Sequence, residues 1–283
     1  MPDDQRRPLH RVTVLGSFAL DQDGAGVPLS ADARRVVAYL AVHPRPQPRL
    51  ALAADLWPEV PADAALRLLA EALDAIDVPG LLVGAGPSIT DAPVALAPDV
   101  EVDLAEAMAL VRTLPERPAT EIADTSALRA DILPSWTASW IAIERERFRQ
   151  LRLNACEDLS LRLTAAGHHD AAIELAQTAV ATAPSRESAR RALIEAHLAQ
   201  GNIAAAVAQY DEYHELLRSS VGVPVASALD GIFPPAPAWP VVRGFRRPVQ
   251  RSAVALPGLR SIRYGPTGSR RLVSGGSVPG STR

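Results

Sequence analysis

Two stretches of the chain, 163–184 and 197–218, echo each other at a spacing of 34 residues. Ala166-Gly167-His168-His169-Asp170-Ala171-Ala172-Ile173 lines up with Gln200-Gly201-Asn202-Ile203-Ala204-Ala205-Ala206-Val207, and Leu159 with Leu193. A glycine turn between two amphipathic stretches at this period marks tetratricopeptide helix pairs. Such units cannot bury their apolar faces alone, so they stack on their neighbours and bind other chains in the resulting grooves. The apolar residues keep helical spacing. Phe148, Leu151, Ala155, Leu159 and Leu163 form one stripe, and Ala172, Ile173, Ala176, Ala179, Val180 and Ala183 a second. Ala189, Ala192, Leu193 and Ala196 form a third, then Ala206, Val207, Tyr210 and Leu217 a fourth. Two complete pairs fall short of the three such arrays need, so the helix beginning near residue 136 and the segment 225–232 are expected to act as caps.

The N-terminal third has another rhythm. Residues 11–20 alternate around a β-rich run, and the turn residues 21–26 lead to a short extended piece at 27–29. Three helical stretches follow. The first, 32–42, carries Val36, Val37 and Leu40 on one face with Arg34 and Arg35 beside them. The second, 49–56, closes at Trp57-Pro58, and the third, 63–76, spaces Leu66, Leu69, Ala70, Leu73 and Ile76 by three and four. Beyond Pro79-Gly80 the pattern returns to strand at 81–83, 89–90, 94–96 and 100–104, with bends at 84–88 and 91–93. Sheet, three helices and hairpin in this order predict a winged helix-turn-helix.

The expected fold class is therefore mainly α. A winged helix-turn-helix (α+β) occupies 11–104, a linker 105–132, and a tetratricopeptide-like helical domain 133–232. A basic tail, 233–283, is expected to be disordered. Residues 231–283 hold nine arginines, eight prolines and no acid, so residues 1–230 carry 20 minus 32, or −12. With neither helical nor alternating period, that tail cannot offset its ordering entropy by burial. It reads as an electrostatic arm for nucleic acid or for the acidic body, or as an unconstrained terminus in an arginine-rich chain.

Composition narrows the chemistry. Every basic residue is arginine, and the missing lysine excludes a P-loop lysine, a Schiff-base lysine and a kinase-type phosphate lysine together. The single cysteine, Cys156, cannot form an internal disulfide and falls on an apolar helix side as a small filler. His168-His169 has no third ligand at metal spacing, and Gly84-Ala85-Gly86 lacks the rest of a dinucleotide fingerprint and reads as the bend of the wing. The alternating Glu144, Arg145, Glu146 and Arg147 read as a salt-bridged face. No nucleophile, base and orienting group assemble, so neither enzyme activity nor a cofactor is expected. No apolar run nears the roughly 20 residues that span a bilayer, so the expectation is a cytoplasmic protein without membrane contact.

Val12-Thr13-Val14-Leu15-Gly16, Leu56-Trp57-Pro58-Glu59, Val102-Asp103-Leu104, Leu133-Pro134-Ser135-Trp136 and the segment from Trp140 to Arg147 together resemble the antibiotic-regulatory-protein (SARP) group of actinobacterial transcriptional activators. The helical half is similar to that group's bacterial transcriptional activator domain, notably at Gly201-Asn202, Ala206, Tyr210 and Leu216-Leu217-Arg218. The resemblance implies a winged helix that reads direct repeats in promoters. It also implies a helical domain for dimerisation and for contact with RNA polymerase or another regulator.

The third helix departs from that pattern. Where the group carries basic positions, this chain has Ala70, Ala75 and Asp77, and one base, Arg67, faces Asp63, Glu71, Asp74 and Asp77. Residues 1–98 hold eight arginines against twelve acids, a net of −4, whereas a duplex-binding module is normally basic. Arg34, Arg35, Arg45, Arg49 and Arg67 are the candidate DNA-binding residues, placed where a helix-turn-helix touches phosphates; a solvated face with covering arginine stems is the alternative. Weak or partner-assisted contact with double-stranded DNA is expected. The competing expectation is an adaptor or antagonist that binds another regulator through its repeats. Trp136, Trp140 and Tyr210 are the candidate protein-binding aromatics; the two tryptophans are expected to pack against the N-terminal module, with an exposed contact for a partner as the alternative.

Overall fold

The computed structural model describes residues 10–86, 92–122, 124–221 and 228–232. The basic tail, the expected strand at 89–90 and the start of the C-terminal cap lie outside these residues.

Strands β1 (His10–Thr13), β2 (Ala19–Gln22) and β3 (Ala25–Gly26) form an antiparallel meander. The expected continuous run is broken at Gly16, whose φ of +83° turns the chain between β1 and β2. Asp23-Gly24 joins β2 to β3 with both residues at positive φ, the geometry that tight hairpins demand. Helix α1 (Ala31–Val42) starts where Ser30 Oγ accepts from the Ala33 amide. Helices α2 (Arg49–Leu56) and α3 (Ala62–Asp74) follow. A hairpin then pairs β4 (Leu82–Val83) with β5 (Ala95–Leu96).

The next strand, β6 (Glu101–Val102), was expected to finish the hairpin and instead joins the first sheet, parallel to β1. Asp103 explains the choice. Its two carboxylate oxygens accept from the backbone amides of Val14 and Leu15, both at 2.9 Å, satisfying donors that follow the end of β1. Asp103 also opens helix α4 (Asp103–Thr113), where an acid suits the positive end of the dipole.

The described residues of the span 105–132, expected as a linker, are packed and largely helical. After α4 come three short 3-10 turns, and Ala107, Leu114, Ala119 and Leu128 are buried. Three arginines of α5 (Ser139–Ala165) clasp this span. Arg145 donates to the carbonyls of Ile132, Leu133 and Trp136 at 2.8, 2.6 and 2.9 Å. Arg152, only 3% exposed, donates to the Leu128 carbonyl at 3.5 Å and pairs with Asp131. Arg162 donates to the carbonyls of Leu114, at 2.7 Å, and Arg117. Irregular backbone carries polar groups that helices and sheets would otherwise satisfy, and guanidinium groups supply the missing donors. Arg145 is therefore a buried-side tie and not part of an exposed alternating face.

Helix α5 belongs to two cores. Its first half sends Ile141 and Phe148 among Val12, Val14, Val37, Ala107 and Ile132, so the sheet, α1, α4 and α5 share one cluster. Its second half packs Leu153, Leu159 and Leu163 with Leu114, Leu128, Leu175 and Ala189. At 27 residues it is about 40 Å long, enough to thread both. Cys156, 1% exposed, lies in the second core, where burial pushes its thiol up to about 11.

Helices α6 (His169–Thr182), α7 (Glu187–Ala199) and α8 (Ile203–Val221) complete an antiparallel array, with alanines at the contacts that let the helices approach closely. In α8 the inward residue is Tyr213, 3% exposed, whereas Val207, expected in the apolar stripe, is 40% exposed. Leu229 of the final 3-10 turn packs on Ile194, Ala206 and Tyr213, closing the last pair.

The 34-residue echo has a backbone cause. The amide of His168 bonds the Leu163 carbonyl and that of Gly167 bonds Thr164; Asn202 bonds His197 and Gly201 bonds Leu198. These are two superimposable Schellman caps with glycine at φ +83° and +82°. Nothing lies within 4 Å of a Cβ at either glycine, so the constraint is conformational and not steric. Gly167→Ala and Gly201→Ala are each expected to lower stability by about 1 kcal/mol, read as a shift of the urea midpoint at unchanged slope.

Candidate nucleic-acid interface

Helices α1, α2 and α3 enclose Val36, Leu40, Leu52, Leu56, Ala65, Leu69 and Leu73, and Val94 of the hairpin closes the same cluster. Two devices fix the hairpin against α2. Gln47, just before the helix, exchanges both backbone hydrogen bonds with Val94 at 2.8 Å. Arg49 donates to the carbonyls of Gly84 and Gly86 at 2.7 and 2.9 Å. Gly84 is required there, because a Cβ would stand 2.1 Å from the Pro93 carbonyl oxygen.

The five candidate arginines divide by occupation. Arg35 donates to the Leu56 carbonyl, lies 5.4 Å over the Trp57 ring and stands 3.7 Å from Asp32, so its guanidinium ties α1 to the end of α2. Arg49 is held by the hairpin bend. Arg34 is exposed, 5.9 Å over the ring of Phe18. Arg45 and Arg67 are exposed, and their guanidinium groups have neither a hydrogen bond nor an ion pair among the described residues. On α3 the solvent side carries Asp63, Arg67, Ala70, Glu71 and Asp74, followed by exposed Ala75 and Asp77. This surface is acidic wherever Arg67 does not reach. Leu50 on α2 and Val83 on the hairpin, 58% and 45% exposed, lie on the same module and were not singled out from sequence.

The candidate protein-binding aromatics lie inside the molecule's own contacts. Trp136 stands 6.3 Å from Phe18 and 6.4 Å from Trp140. Trp140 in turn stands 5.0 Å from Tyr39 and 6.0 Å from His43. These rings join the start of α5 to the sheet and to α1. Tyr39 donates to Asp55 at 2.5 Å, and burial, reinforced by that carboxylate, raises its hydroxyl well above the ordinary range. Tyr210 is half-buried and donates to Asp230 at 2.7 Å. The exposed apolar residues of the repeats are instead Ile143, Leu161, Ile203 and Val207.

Among the described residues no group of three metal-ligating side chains occurs, and no helix is long and apolar enough to cross a membrane.

Residues 104–233 match the family model of the bacterial transcriptional activator domain, which takes in α4, the clasped span and the whole helical array. No curated protein sequence matches the chain. Among solved structures, the fold is similar to that of Mycobacterium tuberculosis EmbR in complex with a low affinity phosphopeptide. The TM-score is 0.60 at 22% identity, over 80% of this chain and 64% of that one. The chain thus spans somewhat under two thirds of the EmbR chain. The match begins at α4, whose Leu104 and Ala107 pack with the sheet and α1 while Leu110 and Val111 reach the core of the helices that follow. Residues 104–233 thus match a bacterial transcriptional activator domain and lie behind a small β-flanked three-helix module in a mainly helical fold.

Proposed function

We propose that this protein is a SARP-type transcriptional regulator. Its N-terminal module acts as a winged helix that touches promoter DNA weakly, and its helical array recruits a second copy, RNA polymerase or another regulator. The observation that carries this reading is the shared core: Phe148 and Ile141 of the activator domain pack between the sheet and α1 of the DNA-binding-like module. A partner held by the repeats is thereby set rigidly relative to any DNA held by that module.

Arg34, Arg45 and Arg67 are the cations available to phosphates. Arg35 and Arg49 contribute indirectly, by fixing α1 on α2 and the hairpin on α2. Three phosphate contacts give a salt slope near −3, a modest hold at physiological ionic strength, so a partner or a second copy supplies the remainder. The acidic solvent side of α3 favours a second reading, an adaptor that keeps the fold and binds another regulator without touching DNA itself.

Fluorescence anisotropy separates the two. At about 150 mM salt, the full chain is expected to bind a duplex from its own upstream region more tightly than a scrambled duplex. Arg34→Ala with Arg67→Ala is expected to weaken binding of both duplexes at least about tenfold. Equal binding of both duplexes would leave the adaptor.

A further inference from the structure

A cleft of about 630 Å³ opens between the end of α1, the turn into α2, helix α4 and the first half of α5. That volume falls within the roughly 300–1,000 Å³ of small-molecule sites, which combine an apolar lining with a few convergent polar groups. Val42, Leu104, Met108 and Phe148 make the lining here.

The charge of the cleft opposes that of the molecule. Arg45 reaches it from the turn, Arg112 from α4 and Arg147 from α5, against one acid, Glu144; three minus one gives +2. Residues 1–230 sum to −12. Arg45 and Arg112 are exposed, and their guanidinium groups have no hydrogen bond or ion pair among the described residues. Arg147, its side chain 68% exposed, meets Glu144 only at 3.8 Å. Three arginines from three separate elements therefore line an apolar hollow with one carboxylate among them. Such a hollow suits an apolar body with an anionic head group, since planar guanidinium donors match carboxylate and phosphate oxygens.

We propose that this cleft binds a small amphipathic anion, a carboxylate or phosphate ester on an apolar body. Arg45 is shared with the phosphate contacts proposed above, whereas Arg112 and Arg147 belong to the cleft alone. The cleft also adjoins the hairpin, because Gln47, which lines it, bonds Val94 through its own backbone.

The test titrates the full chain with the fluorescent sulfonate 8-anilinonaphthalene-1-sulfonate, then displaces it with decanoate and, separately, with decanol. Saturable one-site binding is expected, with decanoate displacing the dye and decanol doing so at least about tenfold less well. Arg45→Gln with Arg112→Gln is expected to weaken decanoate at least about tenfold, or about 1.4 kcal/mol, at an unchanged melting temperature. Ala105→Trp, a substitution at an exposed α4 position in the cleft wall, blocks binding by filling the mouth. Glu144→Gln moves the other way and tightens decanoate, which distinguishes a charge-selective site from a loosened fold. Absence of dye binding, equal displacement by decanol, or decanoate affinity indifferent to both the arginine and Glu144 changes would overturn the site. In that case the arginine stems merely cover apolar surface.

Discussion

Phe148→Ala is expected to destabilise the protein by about 3–5 kcal/mol, and to do so for both halves of the molecule at once. Phe148 is 2% exposed and sits where α5 crosses the sheet, α1 and α4. Truncation removes its burial free energy and leaves a hollow that residues from four elements cannot collapse around together. If sheet and helical array were separate bodies, the N-terminal module alone would melt earlier and the repeats would keep their midpoint. A shared core predicts one transition, shifted as a whole. Thermal unfolding followed by far-ultraviolet circular dichroism and by tryptophan emission from the Trp136 and Trp140 cluster checks this. Coincident curves before and after substitution agree with it, and a split in either does not.

The second large effect is a gain. Ala70, Ala75 and Asp77 are all exposed, at or just beyond the end of α3. Replacing the three with arginine changes the surface without entering the core. If α3 faces the major groove, each new phosphate contact steepens the dependence of log affinity on log salt by about 0.9. Three contacts steepen it by nearly 3, and affinity for duplex DNA at low salt is expected to rise at least about tenfold. Losing Asp77 adds to this by removing a like charge. Unchanged affinity and slope would place α3 away from DNA and give its acidic surface to a protein partner. The arms are distinguishable from misfolding because the melting curve is expected to stay in place.

Much of the fold was legible because local signals agreed with global packing. The two glycine caps announced the helical array, since no other residue takes φ near +80° so freely. The apolar face of Val36, Val37 and Leu40 placed the first helix, and the turn residues 21–26 marked the bend that follows β2. The span 105–132 was missed. Leu104, Ala107, Met108, Val111 and Leu114 do keep helical spacing and mark α4, but what holds the remainder are carbonyls clasped by Arg145, Arg152 and Arg162, which read in sequence as ordinary charges on a long helix. Nor does sequence spacing reveal that one apolar stripe of α5 serves two cores along its length, packed by the sheet first and by α6 and α7 later.

The candidate site was legible in outline only. Position along a helix says that Arg34 and Arg35 are neighbours; it does not say that Arg35 spends its donors on Leu56 and Trp57 while Arg34 remains exposed to solvent. Arg49 likewise serves the hairpin bend. Arg112 and Arg147, on helices far apart in sequence, join Arg45 only through the packing of α4 and α5, so no motif marks the cleft they rim.

The most direct measurement is chromatin immunoprecipitation of the full chain from its own cell, beside the Arg34→Ala with Arg67→Ala form at equal abundance. A regulator that touches promoter DNA through its β-flanked module gives discrete enriched sites that fade with the paired substitution. Sites that persist unchanged, or no enrichment at all, would contradict that role.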